Sequence, residues 1–136
     1  MKTYLNVLIA ALGSAFLVGY CLQRPLTAGL VAGLVLAILS LALWATARLQ
    51  LGKSFSVRPK ATALVTRGLY SKVRNPVYIF GTLWIVGFVL AVDRPWWLLF
   101  LLVLVPTQVI RARREAKVLE EKFGDDYRAY RRTTWF

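Results

Sequence analysis

Four long apolar runs, each without acidic or basic residues, constrain this chain more than any other feature. Leu5 to Leu22 and Thr27 to Ala47 are each roughly 20 residues long, the helical length that crosses about 30 Å of hydrocarbon. Val77 to Val92 and Pro95 to Ile110 have 16 residues each, about 24 Å at 1.5 Å per residue. A chain inside a bilayer must satisfy its own backbone hydrogen bonds, so each run is expected to be a helix. The expected fold is an all-α integral membrane protein of one domain. Its four transmembrane helices lie at 5–22, 27–47, 76–92 and 95–110, with a connection at 48–75 and a tail at 111–136.

The last two runs are joined by Asp93-Arg94 alone, which forces an antiparallel hairpin with Trp96 and Trp97 at an interfacial level. Either these shorter helices extend into flanking polar residues, or the hairpin tilts or thins the bilayer. Ala11, Ala15 and Gly19 form one stripe of small residues, and Gly29 to Gly33 contains another, both readable as helix-packing surfaces. Met1-Lys2-Thr3 ahead of an apolar run has the form of a secretory signal. The run is too long for a signal core and a second follows at once, so a retained helix is expected.

Charge then sets the orientation. Arg48, Lys53, Arg58, Lys60, Arg67, Lys72 and Arg74 crowd the long connection. Arg111, Arg113, Arg114, Lys117, Lys122, Arg128, Arg131 and Arg132 crowd the tail, while the two short connections hold only Arg24 and Arg94. The positive-inside rule places both termini and the long connection in the cytoplasm. A net charge of +12 in a soluble protein would suggest nucleic acid. Here the charges avoid the apolar runs and no nucleic-acid module is present, so the expected partner is the lipid bilayer.

The 136 residues include no histidine. Ser-His-Asp hydrolysis, haem on a proximal histidine and most zinc sites are thereby excluded, and no metal is expected. Cys21 is alone and forms no internal disulfide; it reads as a small lipid- or helix-facing residue. The first two runs contain no charged residue, which disfavours an ion-coupled transporter.

Two polar stretches remain for chemistry. In Gly68 to Tyr78, Asn75 followed by Pro76 reads as an N-cap with proline in the first turn. That helix start, with Arg74 beside it, suits a carboxylate or phosphate. The alternative is a lipid-headgroup contact at Arg74 and an interfacial anchor at Tyr78. In the tail, Ala112, Ala116, Leu119, Phe123, Tyr127 and Tyr130 recur at helical spacing, predicting a cytoplasmic amphipathic helix. Arg111 and Glu115 sit one turn apart and are expected to pair. Gly124 reads as a helix stop with a new start at Asp125 or Asp126. Glu120 and Glu121 are assigned to the solvated face, whereas Glu115 lies close to the level of Arg74.

Residues 64 to 78, Leu-Val-Thr-Arg-Gly-Leu-Tyr-Ser-Lys-Val-Arg-Asn-Pro-Val-Tyr, resemble the Gly-x-Tyr-x-x-x-Arg-His-Pro-x-Tyr motif of the isoprenylcysteine carboxyl methyltransferases and related phospholipid methyltransferases. Glu115 to Tyr130 resembles the tail motif of that family, Glu-Glu-x-x-Leu-x-x-x-Phe-Gly-x-x-Tyr-x-x-Tyr. The likeness covers about residues 60 to 132. It implies a membrane methyltransferase that encloses S-adenosylmethionine at the inner membrane face and takes a hydrophobic methyl acceptor sideways from the bilayer. By the same resemblance Tyr70, Arg74, Asn75, Pro76, Tyr78 and Gly81 should hold the cofactor. Glu115 should join them, Arg74 and Glu115 being the catalytic pair, and Tyr127, Tyr130 and Arg131 should close the site. Methyl transfer from a sulfonium needs alignment and charge placement, for which histidine and metal are dispensable.

Two positions depart from the motifs. Asn75 stands where histidine is common, a substitution expected in bacterial members, whose inner membrane is the expected location. Ala116 stands where the second glutamate belongs, which removes an anionic partner for the cofactor. The alternatives are a non-catalytic scaffold or accessory subunit, which Ala116 favours, a phospholipid N-methyltransferase-type activity, and a nicotinamide-using sterol reductase relative. The sequence leaves the acceptor atom (oxygen, nitrogen or sulfur) open. Topology is testable with Ser71→Cys: an impermeant thiol reagent should label it in inverted vesicles, and labelling from outside intact cells would contradict the orientation.

Overall fold

Helices form where the apolar runs demand them, and one of them extends well beyond its run. The computed structural model describes residues 2–51 and 64–135. In chain order these are α1 (Lys2–Cys21), α2 (Ala28–Leu51), a 3-10 turn (Gly68–Ser71), α3 (Pro76–Val92), a second 3-10 turn (Pro95–Phe100) and α4 (Leu101–Thr133). Residues 52–63 of the predicted connection, with Lys53, Arg58 and Lys60, lie outside the described residues. α1, α2 and the helix reaching from Pro95 are long and apolar enough to cross a membrane, whereas α3 is shorter. Large apolar side chains cover the outer surface, Phe16 being 77% exposed and Leu102 71% exposed. Such a surface calls for lipid as its solvent.

The tightest packing joins α2 to α3, and glycine makes it possible. A Cβ on Gly33 would sit 2.8 Å from the Gly87 carbonyl and collide with the Ala91 amide. A Cβ on Gly87 would in turn meet the Gly33 carbonyl at 2.8 Å and the backbone of Ala37. The two backbones touch through these hydrogens alone, the close approach by which membrane helices associate. The stripe at Gly33 is thus a packing surface. That of Ala11, Ala15 and Gly19 packs against nothing within the chain: all three are exposed, and α1 buries Ala10, Ser14, Leu17 and Cys21 against its neighbours. A helix apolar on every side has no moment to reveal which face its neighbour takes.

Polar groups lock this packing. Trp84 on α3 donates its indole N–H to Ser14 Oγ on α1 at 3.0 Å. Arg24, in the turn after α1, reaches the Val92 carbonyl at the far end of α3 at 3.0 Å. Cys21 is fully buried, its Sγ 3.7 Å from the Ala91 carbonyl, which settles its role as a helix-facing residue. Asp93 then turns the chain in the left-handed region (φ 57°), its amide bonded to the Leu90 carbonyl at 3.2 Å. Aspartate tolerates this conformation better than most side chains. Trp96 and Trp97 follow it, their rings stacked at 4.9 Å.

The fourth apolar run does not end near Ile110. Its first residues form the second 3-10 turn, and α4 then continues to Thr133, so the predicted amphipathic tail helix is the extension of the hairpin's second arm. The break falls later, at Gly124, whose φ of 48° and ψ of −116° lie outside the helical range. That is the predicted glycine stop, and the chain resumes helix directly after it. Gly87→Val should separate α2 from α3 and cost about 1–3 kcal/mol or more of stability by overpacking. Thermal unfolding in detergent reads that loss, while Gly19→Val, at an open position, should be neutral.

Candidate functional site

The start of α3 and the end of α4 are tied together by backbone hydrogen bonds. Trp135 donates its amide to the Lys72 carbonyl at 2.7 Å, and the Arg74 amide donates to the Trp135 carbonyl at 3.0 Å. Nearby, the Tyr130 hydroxyl donates to the Tyr70 carbonyl at 2.7 Å, with both rings buried. The 3-10 turn holding Tyr70 is itself pinned to α2, because the Leu69 amide donates to Gln50 Oε1 at 2.9 Å. Gly68 permits this: its φ is 62°, and a Cβ there would lie 2.5 Å from the Gln50 Cδ.

Pro76 opens α3 at its first position, as expected. Asn75 occupies the cap position, but its side chain makes no capping bond. Its backbone (φ −124°, ψ 56°) is away from the extended geometry that aims a capping side chain. Its own carbonyl accepts the Tyr78 and Ile79 amides at 3.2 Å each, so one of the two donors a cap would serve, that of Tyr78, is already engaged.

Between α3 and α4 lies a cleft of about 780 Å³. Its polar end is lined by Arg74, Asn75 and Tyr78 from the start of α3, Arg113, Lys117 and Glu120 from α4, and Arg131 from beyond the Gly124 bend. Its apolar end is lined by Ile79, Leu83, Val105 and Val109. Thr82 and Gln108 sit midway, the threonine hydroxyl 2.9 Å from Gln108 Oε1 and equally near the Tyr78 carbonyl. The sequence reading gives these two no role and assigns Glu120 only to the solvated face. Thr82 and Gln108 are uncharged, but polar side chains at this depth in apolar helices are a signal of function that hydropathy alone passes over. Glu120 keeps the solvent access expected of it and also lines the cleft, one turn beyond Ala116, which lines it too.

The other expected site residues fall around this cleft in different ways. Glu115 is beside the wall and outside the lining, its Oε1 accepting the Tyr78 hydroxyl at 2.7 Å and Arg111 Nε at 3.1 Å. The predicted Arg111–Glu115 pair therefore forms, with a tyrosine as third member. Tyr70, Pro76, Tyr127 and Tyr130 are buried supports under the polar end. Gly81 faces away, toward the Trp44 indole, where a Cβ would stand 3.4 Å from the ring.

The electrostatics follow from that burial. Tyr127 is fully buried, and its hydroxyl has no hydrogen-bond partner. Desolvation pushes its pKa up, while the nearby charges of Arg74 and Arg131 pull it back. Tyr70 is pushed up further, mainly by burial. Burial, with Tyr127 alongside, pushes the Tyr130 hydroxyl up to about 12. The lining of four cations and one carboxylate suits a ligand with an anionic end. An orphaned hydroxyl within the field of two of those arginines fits the same picture.

A model of the phospholipid methyltransferase family matches residues 26–126. No curated protein and no solved structure matches the chain.

Tyr130 gives this region a signature at high pH. The unfolded hydroxyl ionises near pH 10, whereas the folded one keeps its proton to about 12. The folded state thus holds more protons between these values, and stability intact below pH 10 falls as pH rises through 12. Tyr130→Phe should cost about 1–2 kcal/mol at neutral pH, by leaving the Tyr70 carbonyl unmet. It should also make the loss of thermal stability between pH 10 and 12 shallower, as a pH series of melting curves would show.

Proposed function

The chain belongs to the phospholipid methyltransferase family, and from that premise we propose that the cleft binds S-adenosylmethionine at its polar end and a lipid-like or small hydrophobic acceptor at its apolar end. Membership supports a membrane methyltransferase. The observation that supports placing the reaction here is the change of lining along one cleft, from arginine and lysine to valine, leucine and isoleucine. A charged cofactor and an apolar acceptor meet only where such surfaces adjoin.

S-adenosylmethionine supplies a methyl group on a sulfonium, which a nucleophile displaces in line. The protein's part is alignment and charge placement. Arg74 and Arg131, on two segments that the Trp135 backbone hydrogen bonds tie together, receive the cofactor's carboxylate and orient it. Tyr78 lines the same polar end, with its hydroxyl held by Glu115. Glu115 is on this reading a positioning residue, acting through Tyr78. Leu83, Val105 and Val109 exclude water and hold the acceptor's apolar part. The proposal includes four membrane-crossing helices, with both termini and the polar end of the cleft on the cytoplasmic side.

Ala116 supports a second reading, a scaffold that has lost catalysis. Titration calorimetry of detergent-purified protein separates the two, because no binding at millimolar S-adenosylmethionine would defeat the enzyme. Arg74→Ala should weaken binding about tenfold or more, the loss of a charge-assisted hydrogen bond. Glu115→Ala should also weaken it, while Glu115→Gln, which still accepts the Tyr78 hydroxyl, should restore most of the affinity. Wild-type affinity in both alanine variants would place the site elsewhere.

A further inference from the structure

Among the described residues lining the cleft, Arg74, Arg113, Lys117 and Arg131 are cations and Glu120 is the one carboxylate. S-adenosylmethionine carries a carboxylate and two positive centres, the sulfonium and the ammonium. Four cations serve the first and repel the other two. Beside an apolar wall, where the local dielectric is low, an unmatched positive charge is costly. Ala116, one turn before Glu120 on the same lining, contributes only a methyl group and leaves room around the glutamate.

Glu120 is held by a cation that is free to leave. Arg128 Nε lies 2.9 Å from Glu120 Oε1, reaching back across the Gly124 bend, and Arg128 Nη1 lies 3.3 Å from Asp125 Oδ1. The Arg128 side chain is 60% exposed, the Glu120 side chain 37%. An exposed pair of this kind contributes little to stability and exchanges readily. Asp125 keeps a partner for Arg128 if Glu120 turns away.

Resting on the methyltransferase reading, we propose that Glu120 is a cofactor-binding residue, its carboxylate receiving the positive part of S-adenosylmethionine in exchange for Arg128. The anionic counterpart that position 116 lacks is thus supplied one helical turn further along α4. Glu120 is a binding group, and Arg128 is its placeholder while the cleft is empty.

Titration calorimetry on the full chain in detergent tests this with two ligands, S-adenosylmethionine and S-adenosylhomocysteine, and two variants. Glu120→Gln should bind S-adenosylmethionine about tenfold or more weakly, as expected for one charge-assisted hydrogen bond. Arg128→Ala, which removes only the competitor, should bind as well as wild type or more tightly. An equal loss for both ligands in Glu120→Gln assigns the carboxylate to the ammonium, and a loss confined to S-adenosylmethionine assigns it to the sulfonium. Unchanged affinity in Glu120→Gln overturns the proposal. So does equal weakening in Arg128→Ala, which would make Glu120 merely the tether of the bend. Wild-type protein that binds neither ligand would defeat the methyltransferase reading itself, and this inference with it.

Discussion

The arrangement depends on a backbone clasp, the pair of hydrogen bonds by which Trp135 is held between Lys72 and Arg74. Residues 72–74 lead into α3, and Trp135 follows the end of α4, so the clasp joins two segments some sixty residues apart in sequence. It is made of main-chain groups and is therefore indifferent to side-chain identity. Its geometry demands that α4 turn back on itself. A straight helix of 33 residues would carry its end about 50 Å from its start. The left-handed turn at Gly124 prevents that and brings Arg131 to the same cleft as Arg74.

The clasp works only because its other half is fixed. Gln50 at the end of α2 holds the turn containing Tyr70, and Tyr130 docks onto that turn. α2 is in turn fused to α3 through Gly33 and Gly87. Removing any of these glycines acts on the cleft indirectly, by shifting the platform under it. The chain thus builds a polar site from short segments, each tied by a few hydrogen bonds to helices whose packing is settled by lipid and by close backbone contact.

Much of this was legible because the signals were local. Run length marked the helices, Pro76 marked the first turn of α3, and Gly124 marked the bend. The Arg111–Glu115 pair followed from helical spacing alone. What was not legible was facing. The Ala11-Ala15-Gly19 stripe pointed to a packing surface that α1 does not use within the chain, since apolar residues on every side leave its orientation to its neighbours. Glu120 was legible as solvent-accessible, and its place on the cleft was not, because the second wall comes from a different segment of the chain. Asn75 could be assigned to its position and not to its bond, because its backbone angles depart from the extended geometry that aims a capping side chain.

α4 carries both ends of the cleft on one continuous element, from Val105 to Glu120, before any glycine interrupts it. Fifteen helical steps separate those residues, a span of about 22 Å that a helix neither stretches nor shortens. The helix is in effect a ruler laid along the binding surface. Occupants of the two ends meet at a depth fixed by the covalent geometry of the backbone.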